Sequence, residues 1–358
     1  MTLRPRLQTL IFEVTQRCNH ACQHCYNVWH GADGVDSQRT YPRGELDTQR
    51  TLALLTKALD ECECHHVTLT GGEPLLRDDL SQIVGLLTER GIGSTVISNG
   101  RLLSEDRTVD LLQRGAGLFE LPLLSHRREM HDSLSGVEGA FDAVTAAMVN
   151  LRYHGGQFVA VFVATRRNVA DLYQAIQVAV ALGARGLMLN RFNPGGQGRA
   201  HLAELLPTAE QMRLALVTAS EASAEFGLSI ACSIPIQPCL VDIDAFPNLG
   251  FGFCAVGTDQ AYYTLDPLGH VRPCNHTPNI LGNLWQESLG DLVARERLAG
   301  FVEAVPAFCE PCGLCHRCMG GCKAAAQVCY GSLWTEEPFL HWNRLDARPT
   351  GVAFGSGL

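Results

Sequence analysis

Short apolar runs alternate along the chain with segments whose apolar positions recur at helical spacing. The strand-like runs are Thr9 to Val14, His66 to Leu69, Ser94 to Ser98, Gly117 to Leu124, Phe158 to Thr165 and Gly186 to Asn190. Between them lie helix-period segments: Thr48 to Asp60 with Leu52, Leu55 and Leu59, Asp79 to Arg90 with Ile83 and Leu87, Ser104 to Arg114, Ala140 to His154 and Ala170 to Leu182. Gly91, Gly115, Gly155 and Gly183 stand where helix C-caps are expected. Alternation at about 25 to 40 residues per unit predicts an α/β fold with right-handed parallel connections. The pattern suits a parallel barrel, open or closed, and equally a doubly wound sheet.

A chain of 358 residues can bury a large core, and its length suggests two domains or one with an extension. With 46% hydrophobic and 18% charged residues it is globular and not disordered. The net charge of -9, without any block of Lys or Arg, offers nothing to attract nucleic acid or an acidic membrane surface. No apolar run approaches the roughly 18 residues that span a bilayer, and Thr9 and Glu13 break up what would be a signal-peptide core. A cytoplasmic protein is expected. Fifteen cysteines, an odd number bunched at metal-ligand spacings, argue against a secreted disulfide scaffold.

Cys18, Cys22 and Cys25 form a Cys-x3-Cys-x2-Cys triplet directly after the first strand-like run. Three thiolates can hold three irons of a 4Fe-4S cube and leave the fourth iron free. A zinc loop with His20 or His24 as fourth ligand would use a similar spacing. Gly71-Gly72-Glu73-Pro74 follows the second run, where the glycines let backbone approach a ligand closely and Glu73 can accept from an ammonium group.

The triplet, the aromatic Tyr26 after it and Gly-Gly-Glu-Pro one helix and one strand later resemble the radical S-adenosylmethionine (SAM) enzymes. The resemblance implies a partial six-stranded (β/α) barrel in which Cys18, Cys22 and Cys25 bind the cluster and SAM chelates its free iron. It further implies that Tyr26, Gly71, Gly72, Glu73, Pro74, Ser98, Asn99, Arg166 and Asn190 surround SAM, with Arg166 offering a guanidinium to its carboxylate and the loop from Asn190 to Gly198 contacting adenine. Reduction of such a cluster would split SAM into methionine and a 5'-deoxyadenosyl radical that takes hydrogen from a C–H bond. One departure stands out: relatives often read Ser-Leu-Asp-Gly on strand four, whereas this chain reads Leu121-Pro122-Leu123-Leu124-Ser125 before His131-Asp132, so an acid facing the cofactor is absent there. No catalytic base is assigned. His131-Asp132 is read as a cap for the segment leading to Gly136.

A second cysteine group lies near the C-terminus. Ala261 to Leu265, the turn Asp266-Pro267-Leu268-Gly269 and His270 to Arg272 read as a hairpin that brings Cys254 and Cys274 together. Cys309, Cys312, Cys318, Cys322 and Cys329 follow. Their order and the offset of Gly269 resemble the SPASM domain, a small cysteine-rich α+β module that holds two auxiliary iron-sulfur clusters. That resemblance implies one cluster on Cys309, Cys312, Cys318 and Cys329 and another on Cys254, Cys274 and Cys322, whose fourth ligand is Cys239, Cys232 or open. A rival register, Cys312-x2-Cys315-x2-Cys318-x3-Cys322, has the spacing of a bacterial ferredoxin run; in the SPASM register Cys315 is spare. Cys62 and Cys64 read as buried structural thiols.

The implied organisation is a radical SAM core over 7–205, a connecting helix and bridge over 206–250, the auxiliary-cluster domain over 251–335 and a tail over 336–358. The family's frequent role makes a ribosomally made peptide the first expected substrate, with a small molecule or tetrapyrrole as alternative and a non-enzymatic iron-sulfur or zinc protein as a distant third. With the barrel starting by residue 8, a peptide substrate is expected to need a separate recognition protein or direct docking. A flavodoxin- or ferredoxin-type electron donor is the expected redox partner.

Overall fold

The computed structural model describes residues 4–30 and 41–346. Every strand-like run is a strand: β1 Leu10–Thr15, β2 His66–Gly71, β3 Gly93–Ile97, β4 Leu118–Pro122, β5 Phe158–Ala164 and β6 Gly186–Arg191. The helices between them are α1 Thr48–Asp60, α2 Leu80–Glu89, α3 Glu105–Gln113, α4 Arg128–Ser135, α5 Ala140–Tyr153 and α6 Leu172–Leu182. Side chains start them where an exposed N–H needs an acceptor: Asp47 accepts from the Arg50 N–H before α1, and Ser104 from the Arg107 N–H before α3.

Strands β1 to β6 are neighbours in sequence order and all parallel. Right-handed crossovers between sequential neighbours put every helix on the same face, so the sheet curls as a barrel does, and the order reversal of a doubly wound sheet is missing. The pleat agrees. Phe12, Leu69, Val96, Phe119, Leu121, Ala160 and Leu187 are buried under the helices, while alternate residues face the other side.

The sheet does not stop at six strands. Residues 206–250, expected as a bridge, supply α7 Ala209–Phe226 and two further parallel strands, β7 Ser229–Cys232 beside β6 and β8 Leu249–Phe251 beside β7. At the opposite edge the expected hairpin is present as β9 Tyr263–Leu265 and β10 His270–Arg272, paired antiparallel, with β11 Gly282–Asn283 outside it. β9 also pairs parallel with β1, so the hairpin continues the main sheet. Two buried ion pairs tie the C-terminal segments to the barrel: Arg272 of β10 with Glu13 of β1, and Arg191 of β6 with Glu337. After them come α8 Arg295–Val302, α9 Lys323–Tyr330 and α10 Pro338–Asp346. The tail from residue 347 on lies outside the described residues. Among the described residues no helix is long and apolar enough to cross a membrane.

Candidate active site

The cysteine triplet leaves β1 at its C-terminal end, the face where parallel barrels carry their ligands. Burial, followed by the charges of Cys25 and Cys18, drives the Cys22 thiol well above its usual range, and burial takes Cys25 up to about 12. Thiols that penalise one another as anions become stable thiolates once a multinuclear cation sits among them, so the triplet suits a cluster. His20 and His24, the conceivable zinc ligands, are held neutral chiefly by burial, at about 4.

Gly71 and Gly72 serve this loop more than a ligand. Gly71 has φ +138°, and a Cβ on either glycine would run into the carbonyl oxygens of Thr15 or Arg17 at the start of the triplet loop. The Gly72 and Glu73 N–H groups donate to those same carbonyls, each at 2.8 Å. Gly195 and Gly196, expected near adenine, likewise pack on the backbone of Tyr26, Asn27 and His30, and the Gly198 N–H donates to the Cys25 carbonyl at 2.9 Å. Both glycine motifs clasp the cysteine loop.

Glu73 is buried at the junction of these parts. Its carboxylate accepts from the Leu75 N–H at 3.0 Å, the Ser98 hydroxyl at 2.8 Å and the Asn99 N–H at 2.7 Å. A carboxylate has about four acceptor sites, so one is left for an ammonium. Burial lifts its pKa to about 7 against the pull of those donors. The raised value means that Glu73 favours the fold most below the ordinary carboxylate range and loses that contribution as pH climbs through about 7. Its grip on an ammonium runs the other way, because only the ionised form attracts the cation. SAM affinity is therefore expected to rise from about pH 6 to about pH 8, and Glu73→Gln is expected to weaken it about tenfold or more and flatten that rise at unchanged iron content. Equilibrium dialysis of SAM across this range reads both effects; a variant that keeps the wild-type profile refutes the role.

Other expected SAM contacts are occupied. The Ser98 hydroxyl donates to Glu73 and accepts from the Gly100 N–H at 3.0 Å. Asn99 donates to the Asn19 side-chain oxygen at 2.7 Å, bracing the triplet loop between Cys18 and Cys22. Asn190 accepts from the N–H and hydroxyl of Ser233. Arg166 is exposed and donates to the Leu206 carbonyl at 3.1 Å, away from the triplet. Its neighbour Arg167 reaches Gln23 in the triplet loop at 2.7 Å and Ser133 at 2.9 Å. The guanidinium beside the cysteines thus belongs to Arg167. Pro74 opens a single 3-10 turn behind Glu73. His131-Asp132 does not cap the segment leading to Gly136 but lies inside it, in α4, and Asp132 caps the next helix by accepting from the Gly139 and Phe141 N–H groups at the start of α5.

Tyr26 connects the two cysteine groups. Its ring lies against His276 with centroids 4.1 Å apart, and the Asn275 side chain donates to its hydroxyl at 3.1 Å. His276 follows Cys274 by two residues and its N–H donates to the Cys274 sulfur at 3.2 Å. Cys254, Cys274 and Cys322 line one cavity with His276 and Tyr262, and Asn193 donates to the Cys322 sulfur at 3.3 Å. Cys239 is not there. Its thiol neighbours are Cys318 and Cys312, while those of Cys309 are Cys318, Cys315, Cys239 and Cys312. Cys329, expected with Cys309, Cys312 and Cys318, has Arg199, Glu337 and Cys322 as its charged neighbours. Cys232 is buried in β7, where burial alone pushes its thiol up to about 12, and Cys62 and Cys64 are buried as expected.

One acid on strand four was not foreseen. Glu120 shares a row with Ile97 and Val159 on the face opposite Phe119 and Leu121, which the helices bury. Burial raises its carboxyl above the usual range, and its charge reaches the Tyr26 hydroxyl. Among the described residues no hydrogen bond or ion pair meets the carboxylate. A lone Glu inside the apolar run Leu118 to Leu124 was the available signal.

With this geometry, residues 12–178 match the radical SAM superfamily. The barrel segment is thus similar to a radical SAM domain. It is 28% identical over 340 residues to the PqqA peptide cyclase of Methylocella silvestris, covering 93% of this chain and 87% of that one. It is 25% identical to the AdoMet-dependent heme synthase of Oleidesulfovibrio alaskensis, with the same two coverages. Its fold matches that of Streptococcus suis SuiB bound to S-adenosylmethionine with a TM-score of 0.70 at 16% identity, over 92% of this chain and 76% of that one. The enzyme family works with a 4Fe-4S cluster and SAM.

Proposed function

We propose that this chain is a radical SAM enzyme that modifies a ribosomally made peptide, and that 251–335 is a SPASM-type domain carrying two auxiliary clusters. The reading rests above all on the Tyr26–His276 contact, which places the triplet loop directly against the Cys254, Cys274 and Cys322 cavity. A redox path between a radical-generating site and a second cluster needs such adjacency. Cys18, Cys22 and Cys25 would hold a 4Fe-4S cluster, which, once reduced by an external donor, would supply the electron that splits SAM. The chain's part is to hold the SAM ammonium at Glu73, with Pro74, Ser98 and Asn99 fixing that carboxylate, and to present substrate to Glu120 on the helix-free face. Arg166 and Asn190 stay outside this set, and Arg167 joins it.

Likeness over nearly the full length to a peptide cyclase, and a fold shared with SuiB, which has been crystallised with its precursor peptide SuiA, support the peptide. Similarity to a heme synthase favours a tetrapyrrole as the second reading. Cys239 is exposed and Cys312 partly so, which leaves the outer cysteine set open to a flavodoxin- or ferredoxin-type donor. The test is a substrate panel under anaerobic reduction: a short peptide encoded beside the gene should stimulate 5'-deoxyadenosine release and change mass, whereas an iron-free tetrapyrrole should do neither. The opposite pattern would install the second reading.

A further inference from the structure

Cys309, Cys312, Cys315 and Cys318 follow one another at about a turn each. The Cys312 N–H donates to the Cys309 carbonyl at 3.1 Å and the Cys315 N–H to the Cys312 carbonyl at 3.0 Å, and Cys318 closes on Leu314 at 3.3 Å. In ferredoxin-like runs such closely spaced cysteines give three thiolates to one cube and the next cysteine to a different cluster. A fourth thiolate must then come from elsewhere in the chain. This holds whether Cys309, Cys312 and Cys318 or Cys312, Cys315 and Cys318 supply the three.

The resemblance to a SPASM domain points to Cys329, but the fold turns it away. It sits on α9 seven residues beyond Cys322, which is about 10 Å along a helix, and α9 packs against the turn at Gly196–His201 on the barrel. Arg199, Glu337 and Cys322 surround its thiol.

Cys239 is brought in instead, on a segment clamped at both ends to the cysteine run. Gln237 packs so tightly on Gly321 that a Cβ there would strike its amide, and this amide also donates to Glu337. At the far end Arg317 makes a two-pronged bond to Asp244, at 2.6 and 2.8 Å. Between these clamps Cys239, two residues after Gln237, is carried alongside the run, with Cys318 and Cys312 as its thiol neighbours.

We propose that Cys239 is the remote thiolate that completes an iron-sulfur cluster on the Cys309 to Cys318 run, and that Cys329 is not a ligand of it. This rests on the auxiliary-domain reading. The test uses full-length protein carrying Cys18→Ala, Cys22→Ala and Cys25→Ala, reconstituted anaerobically so that only the auxiliary clusters, about eight irons, remain. Adding Cys239→Ala is expected to lower the count by one to about four irons and to give a three-iron electron paramagnetic resonance signal when oxidised. Adding Cys239→Ser, which keeps an oxygen ligand, is expected to hold more iron with shifted g-values. Adding Cys329→Ala should change neither. Unchanged iron and spectra in both Cys239 variants, or cluster loss from Cys329→Ala alone, would overturn the assignment. Absence of any cluster from the parent would instead remove the auxiliary-domain reading beneath it. If Cys239→Ala is insoluble, the Ser variant's spectrum decides by itself.

Discussion

Arg272→Ala is expected to cost about 3 to 5 kcal/mol of stability, because it leaves the buried Glu13 carboxylate without its counter-charge. Arg272 is fully buried and holds five partners together. It pairs with Glu13 of β1, lies over the rings of Trp29 and Tyr41 at 5.5 and 5.4 Å, and donates to the carbonyls of Asn275 at 3.2 Å and Thr277 at 2.9 Å. Burial opposes its charge, but Glu13 and Tyr41 hold it protonated. It therefore sets the turn carrying Cys274 and His276 onto the triplet loop. Arg272→Lys should recover little, since an ammonium cannot reproduce the planar fork and the stacking. Replacing both partners, Glu13→Leu with Arg272→Met, should be far less damaging than Arg272→Ala alone. Urea unfolding midpoints of the three variants check this. An Arg272→Ala loss below about 1 kcal/mol would show that the pair does not hold the hairpin to the barrel.

Glu120→Gln is expected to lower substrate turnover by about a hundredfold to ten-thousandfold, the range for losing a positioned acid or base. Substrate-independent release of 5'-deoxyadenosine should stay near wild type, because Glu73 and the triplet do not depend on Glu120. The split separates a substrate-handling role from a structural one, which would impair both. Turnover in Glu120→Gln equal to wild type would remove the residue from the mechanism.

The strands and helices of the barrel were legible because each carries its own period and its own caps, as α1 with Asp47 and α3 with Ser104 show. β7 and β8 were not, since runs of four and three residues are too short to display alternation. The hairpin was readable from its turn, but its parallel pairing with β1 joins residues some 250 positions apart, which no local pattern encodes. Motif residues were legible by type and not by direction. Ser98, Asn99 and Asn190 spend their polar atoms on neighbouring loops, and the guanidinium near the triplet is Arg167 where the resemblance pointed to Arg166. Cysteine spacing marked the C-terminal group, yet which remote thiol stands beside the run depends on how two distant segments pack.

The central claim is that the triplet loop, clasped by Gly71, Gly72, Gly195 and Gly196, is where SAM is cleaved. It is tested most directly by anaerobic reconstitution followed by strong reductant and SAM, with 5'-deoxyadenosine quantified for the wild type and for the combined Cys18→Ala, Cys22→Ala and Cys25→Ala variant. The account predicts slow release from the wild type, none from the variant, and a loss of about four irons that leaves the auxiliary clusters in place. Release by the variant, or a wild type that binds zinc with little iron, would contradict it.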